Sequence, residues 1–127
     1  MIAKHSQGKW IINKDGSITP RNNKGCMIAQ ICSANNNDSE KEANGNLIVS
    51  APDMLETIIR SYLELLMNMP LEYRCTTNGQ ILLVNLRSSL EFLFNGHSQE
   101  TQEFFEDLVC RIKLGEINIE QAIKEII

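Results

Sequence analysis

The stretch that most restricts this chain is Ser50-Ala51-Pro52-Asp53, followed by an apolar run to Met67. Proline has no backbone N–H, so it fits the first turn of a helix, where that donor has no partner. Ser50 and Asp53 have the spacing of a capping box, and Asp53 and Glu56 bring negative charge to the positive end of the helix. Beyond them Met54, Leu55, Ile58, Ile59, Tyr62, Leu63, Leu65 and Leu66 recur at helical spacing as one broad apolar face. Ahead of the proline, Ser39 to Val49 reads as a helix with Leu47 and Ile48 inward. Gly45 and the β-branched Ile48-Val49 pair weaken the helix, so the pattern leaves a strand open as well.

The N-terminal part reads as a small antiparallel sheet over residues 7–33. Trp10, Ile11 and Ile12 form a first strand, and Asn13-Lys14-Asp15-Gly16 is a strong hairpin signal. Ser17-Ile18-Thr19 returns, ended by Pro20, and a polar, basic loop follows from Arg21 to Gly25. Met27 to Cys32, nearly all apolar, predicts a central third strand. Residues 33–46 form a solvated link. The central helices span residues 39–68. Residues 70–79 connect to the C-terminal helices of residues 79–127, the first of them over Gln80 to Phe94. Its stripe is Leu82, Leu86, Leu90 and Leu93, with Ile81, Val84 and Phe92 elsewhere. Gly96 suits a left-handed cap, and Ser98 caps a helix to Leu114 with Phe104, Phe105, Leu108, Val109 and Ile112 inward. Asn118 starts a last helix packing through Ile119, Ala122, Ile123 and Ile126. The expected fold is α+β, a small N-terminal antiparallel β-sheet followed by a helical C-terminal half, in a single domain over residues 1–127. These helices carry more apolar surface than so small a sheet covers. That predicts a homo-oligomer, a dimer or a multiple of dimers, against the alternative of a thick monomeric bundle.

With 127 residues, 43% hydrophobic and 22% charged, the chain has enough apolar material for a core. A net charge of −4 argues against DNA or an anionic membrane as the main partner. It leaves room for a small phosphorylated ligand held by a local group of arginines. No apolar run spans a bilayer and Met1 to Ser6 does not read as a signal peptide, so the expected location is cytoplasmic. Cys26, Cys32, Cys75 and Cys110 lie far apart without a Cys-x-x-Cys pair, which predicts free, mostly buried thiols and no metal site.

A resemblance rests on Ala43-Asn44-x-x-Leu47-Ile48-x-x-Ala51-Pro52-Asp53-Met54-Leu55-Glu56, preceded by Gly8-Lys9-Trp10. Over residues 8 to 66 this resembles a motif of small phage-encoded proteins. One group with that layout and a helical C-terminal half is the first family of Thoeris anti-defence proteins. The resemblance implies a phage protein that binds and sequesters a cyclic ADP-ribose isomer, with cyclic oligonucleotides as further ligands, cutting nothing and needing no cofactor. The runner-up is a phage accessory protein that binds a host protein through its C-terminal helices.

No pattern marks a catalytic residue. His5 and His97 have no neighbours that make a triad, and there is no P-loop or His-Glu-x-x-His. For binding, phosphates favour arginine, and bases favour an aromatic face and an amide edge. The arginine and lysine candidates are Arg60, Arg74, Arg87, Arg111 and Lys113 in the helical half, with Arg21 and Lys24 in the basic loop. Arg60, Asn95 and Arg111 come first, with Phe92, Phe94 and Arg21 as further ligand contacts. The family resemblance implies a site between subunits. Against Arg60, Arg87 and Arg111 stands a plain surface ion pair, since Glu56 and Glu64, Glu91, and Asp107 respectively lie four residues away.

Overall fold

A computed structural model of the protein describes residues 2–32 and 37–127. The chain divides into two compact units, His5–Leu55 and a larger one combining the N-terminal residues up to Lys4 with Glu56–Ile127.

The smaller unit is a three-stranded antiparallel sheet with one helix. Strands β1 (Trp10–Ile12), β2 (Ser17–Pro20) and β3 (Ala29–Gln30) lie in the order β1-β2-β3. The hairpin forms where the turn residues predict it. Gly16 takes a φ of +82°, a conformation costly for any residue with a Cβ. The Asn13 N–H donates to the Ser17 carbonyl at 2.8 Å. The Asp15 carboxylate accepts from the Ser17 N–H at 2.9 Å and its hydroxyl at 2.6 Å, which holds the Asp15 carboxyl below its usual range. Pro20 pairs with Trp10 and cannot donate, and the Arg21 N–H continues the ladder to the Lys9 carbonyl at 2.8 Å.

The expected central strand over Met27 to Cys32 is corrected. Only Ala29 and Gln30 form β3, at an edge, and Met27 is 63% exposed. The centre belongs to β2, whose Ser17 and Thr19 are buried with partners in place: the Asn13 amide donates to both hydroxyls at 3.1 Å. A satisfied hydroxyl tolerates burial, so polarity is a poor guide to which strand lies inside.

Helix α1 (Asp38–Val49) settles the helix-or-strand question and replaces much of the expected link; residues 33–36 of that link lie outside the described residues. The Asn37 side chain accepts from the N–H groups of Ser39 and Glu40 at 3.0 and 3.3 Å. Gly45 is buried against β1, and a Cβ there would come 2.7 Å from Cδ1 of Ile12. Close approach therefore uses the glycine, while Leu47, expected inward, is 62% exposed. The Ser50–Asp53 capping box does not form. Ser50 has helical backbone angles, φ −81° and ψ −8°, which terminate α1, and its hydroxyl donates back to the Leu47 carbonyl at 2.8 Å. A capping side chain needs extended backbone to reach forward. Helix α2 (Ala51–Asn68) thus follows after a single residue.

The larger unit is helical. It holds the remainder of α2, a one-turn helix α3 (Leu71–Arg74), α4 (Thr77–Leu90) with a 3₁₀ turn over Glu91–Phe94, α5 (Ser98–Lys113) and α6 (Ile119–Ile126). Its core comprises Ile59, Tyr62 and Leu63 of α2, Leu83 and Leu90 of α4, Phe105, Leu108 and Val109 of α5, and Ala122, Ile123 and Ile126 of α6. Tyr62 and Phe105 meet edge to face at 5.0 Å between centroids. The N–H groups of Ile2 and Ala3 donate to the Ile126 carbonyl, at 3.0 and 2.6 Å.

Helix α4 begins at Thr77 rather than Gln80 because Thr76 caps it, its hydroxyl accepting from the Gly79 N–H at 3.1 Å. Its buried line is Gly79, Leu83 and Leu90; Leu90 is inward as expected, but Leu83 takes the inner place expected for Leu82, which is 38% exposed. Asn95 (φ 55°) and Gly96 (φ 83°) end the 3₁₀ turn in left-handed conformations. Ser98 is the first residue of α5 instead of its cap; His97 holds the cap position without a side-chain bond. Gly115 (φ 76°) follows the end of α5, and Asn118 with Gln121 forms the capping box of α6. All four cysteines are free, as expected, yet all four are exposed, because they fall in loops and on outer helix faces. Among the described residues, no helix is long and apolar enough to cross a membrane.

The α3–α4 connection leaves no room at Gly79. A Cβ there would collide with the backbone carbonyl of Tyr73, a group fixed by α3. Gly79→Ala should lower unfolding free energy by about 1–3 kcal/mol in chemical denaturation. Gly25→Ala, with ordinary contact space, should stay within about 0.5 kcal/mol of the parent.

Candidate functional site: a cationic pocket in the helical unit

The tight α3–α4 turn places Arg74 beside the end of α2. Its Nη2 donates to the Leu66 carbonyl at 2.9 Å, supplying a donor to one of the last-turn carbonyls of α2. Arg74 thereby lines a cavity of about 220 Å³. One wall is α4, which contributes Gln80, Leu83, Val84 and Arg87 at helical spacing. Another is α5, with Gln102, Glu106, Val109 and Lys113 spaced at intervals of three and four. Tyr62 and Leu66 of α2 complete the lining.

Hydrogen bonds fix the two guanidinium groups without using them up. Arg87 donates through Nη1 to Oε1 of Gln102 at 2.8 Å, and Nε2 of Gln102 donates to Glu106 at 2.9 Å. The Nε–H of Arg74 and that of Arg87 are buried and donate to no group of the protein. A buried donor without an acceptor costs about 1–3 kcal/mol, and more when it is charged. Two such donors beside one cavity suit an acceptor-rich ligand. Burial pushes the Tyr62 phenol above its usual pKa, with Arg87 the largest opposing influence, so its hydroxyl remains a donor. Three cations against one carboxylate give the lining a charge of +2 on a chain whose net charge is −4.

The residues placed first by sequence lie elsewhere. Arg60 makes a two-pronged bond to Glu120, at 2.6 and 3.1 Å, and a third to Glu56 at 3.3 Å. Arg111 does the same with Glu125, at 3.0 and 2.9 Å. These carboxylates raise the pKa of both arginines. Asn95 occupies the left-handed turn after α4 and is exposed. Phe92 is 61% exposed, whereas Phe94 is half-buried against Phe104 at 5.1 Å. Arg21 stands on an exposed turn of the smaller unit. Of the wider candidate set, the pocket unites Arg74, Arg87 and Lys113. Tyr62, Gln80, Gln102 and Glu106 were missed as site residues. Their signal was the shared helical face with a cation: Gln80 lies seven residues before Arg87, and Glu106 seven before Lys113.

The smaller unit has a cavity of about 430 Å³ lined by Lys14, Asp15, Asp38, Lys41 and Glu42 among others. Its carboxylates outnumber its lysines, which suits an anion poorly. Among the described residues, no three His, Cys, Asp or Glu side chains gather as metal ligands.

A family model of Salmonella phage P22 protein Y8K6 matches residues 1–80. No curated protein and no solved structure matches the chain.

The arginine pairs give a pH signature. Bonding to Arg60 and Arg111 holds the carboxyls of Glu120 and Glu125 below the ordinary value of 4.5. A lowered native pKa means the unfolded state takes up the proton first, so this stabilisation is full above 4.5 and is lost as pH falls through the lowered values. Melting temperature should therefore fall from about pH 5 downwards. Glu120→Gln with Glu125→Gln should flatten that acid limb, modestly because both pairs are solvent-exposed.

Proposed function

The chain belongs to the family of Salmonella phage P22 protein Y8K6, and from that phage setting we propose that it binds and sequesters a cyclic nucleotide immune signal of the infected cell. The ligand class is a cyclic ADP-ribose isomer or a cyclic oligonucleotide, held without cleavage in the host cytoplasm. The observation that carries the reading is the pair of buried Nε–H donors of Arg74 and Arg87 beside one cavity. Arginine presents a rigid, permanently charged fork, and phosphate oxygens are its best-matched acceptors. Sequestration asks for nothing more: affinity from charge-assisted bonds, with every covalent bond of the ligand intact.

The cavity is smaller than the roughly 300–1,000 Å³ of a typical small-molecule site, so one subunit encloses only part of such a ligand. A homo-oligomer, dimer or multiple of dimers, would let a second copy cover the rest. Exposed Leu71, Ile81, Phe92 and Leu114 are the apolar groups available for association. The same exposed residues favour the second reading, a phage accessory protein that docks on a host protein through its C-terminal helices.

A release assay separates the two. The purified protein is incubated with cyclic ADP-ribose isomers and cyclic oligonucleotides, washed and heat-denatured, and the supernatant is weighed by mass spectrometry. The expected result is an intact ligand in fixed proportion to protein, with a stability gain of about 2.7 kcal/mol at a hundredfold excess over Kd. A mass-altered product would replace sequestration by catalysis. Recovery of nothing, without any rise in melting temperature, would reject the ligand reading and leave the protein partner.

A further inference from the structure

The pocket offers both cationic donors and one carboxylate acceptor. From α3 and the last turn of α4 come the Nε–H groups of Arg74 and Arg87, which no group of the protein accepts. Lys113 adds a third cation from α5, without an ion pair among the described residues. Donors from three separate helices suit a tetrahedral anion, which offers oxygens in several directions; a planar carboxylate offers two in one plane. On α5, Glu106 is an acceptor only, oriented by the Gln102 amide that also holds Arg87. A carboxylate there repels a second phosphate and accepts from hydroxyl groups. Acidic side chains serve the ribose hydroxyls in this way in dinucleotide sites.

Leu66, Leu83, Val84 and Val109 also line the pocket, apolar surface suited to the C–H face of a sugar. Among the described residues the only ring in the lining is Tyr62, which is 2% exposed and already packed edge to face on Phe105. It offers no open face on which a base could stack.

We infer that the Arg74–Arg87–Lys113 pocket takes the phosphorylated ribose of a nucleotide, phosphate toward the arginines and hydroxyls toward Glu106, with the base left outside. The inference rests on the nucleotide-sequestering reading and assigns that reading a specificity: the protein selects ribose phosphate and tolerates any base.

The test is calorimetric titration of the full chain with ribose 5-phosphate, 2-deoxyribose 5-phosphate, AMP, UMP, adenosine and inorganic phosphate. AMP and UMP should bind within about threefold of each other, no more than about half the free energy of a tenfold change. Adenosine should not bind, and the deoxy sugar should bind about tenfold more weakly than ribose 5-phosphate, as expected for a lost hydrogen bond to a charged acceptor. Glu106→Gln should erase the ribose-over-deoxyribose preference while phosphate affinity holds or rises. Arg87→Gln should abolish binding of every phosphorylated probe. Exposed Lys113→Gln, which leaves the core untouched, should weaken them several-fold at unchanged melting temperature. Strong preference for AMP over UMP, binding of adenosine, or an unaltered sugar preference in Glu106→Gln would overturn the inference. Two outcomes keep it separate from the broader reading. Retention of an intact cyclic nucleotide by folded Arg87→Gln and Arg74→Gln proteins would sink the pocket and spare sequestration. Ribose 5-phosphate binding as expected, with no cyclic signal retained by the parent, would do the reverse.

Discussion

A helix that ends inside a protein leaves carbonyl oxygens in need of donors, and at the end of α2 the Arg74 guanidinium supplies one to Leu66. Much of the pocket follows from that bond. It fixes the guanidinium while leaving Nε free, and it depends on a one-turn α3 followed at once by α4, a path that only a glycine at position 79 permits. The Thr76 cap then sets the phase of α4. That phase turns Leu83 into the core and Gln80, Val84 and Arg87 toward the cavity. A donor–acceptor pair at a helix end and a steric limit at one residue together decide where positive charge collects on an acidic chain.

The broad architecture was legible in the sequence because it rests on strong local signals. Asn13 to Gly16 predicts the hairpin, Pro52 the start of the long helix, and Asn118 the start of the last one, each through a backbone requirement that few residues meet. Signals that depend on tertiary partners misled. Gly45 weakened the prediction of α1, although its missing side chain is what lets α1 approach Ile12. Met27 to Cys32 looked like an inner strand by hydrophobicity, but the inner place went to Ser17 and Thr19, whose hydroxyls found partners. On α4 the expected Leu90 is buried, but Leu83 took the place expected for Leu82, because adjacent leucines do not reveal their own phase; the cap does.

The site was legible as chemistry and hidden as geometry. Sequence alone assembles a set of cations fit for phosphate, but it cannot distinguish an arginine tied to a carboxylate from one left with a free donor. Arg60 and Glu120 are sixty residues apart, and Arg111 meets Glu125 across two helices. Those pairings remove the two arginines that appeared best placed. What distinguishes Arg74 and Arg87 is that their partners are neutral, a carbonyl for Arg74 and the Gln102 amide and Tyr62 phenol for Arg87, so charge remains on each and its Nε–H keeps no acceptor.

The account therefore turns on two N–H groups, and the most direct measurement observes them. In a ¹⁵N-labelled sample, arginine Nε–H resonances assigned by single substitutions can be followed while ribose 5-phosphate is added. The account predicts large, saturable shifts for Arg74 and Arg87 with the same apparent Kd, and little change for Arg60 and Arg111. Shifts confined to Arg60 and Arg111, or saturation that leaves Arg74 and Arg87 unmoved, would contradict it.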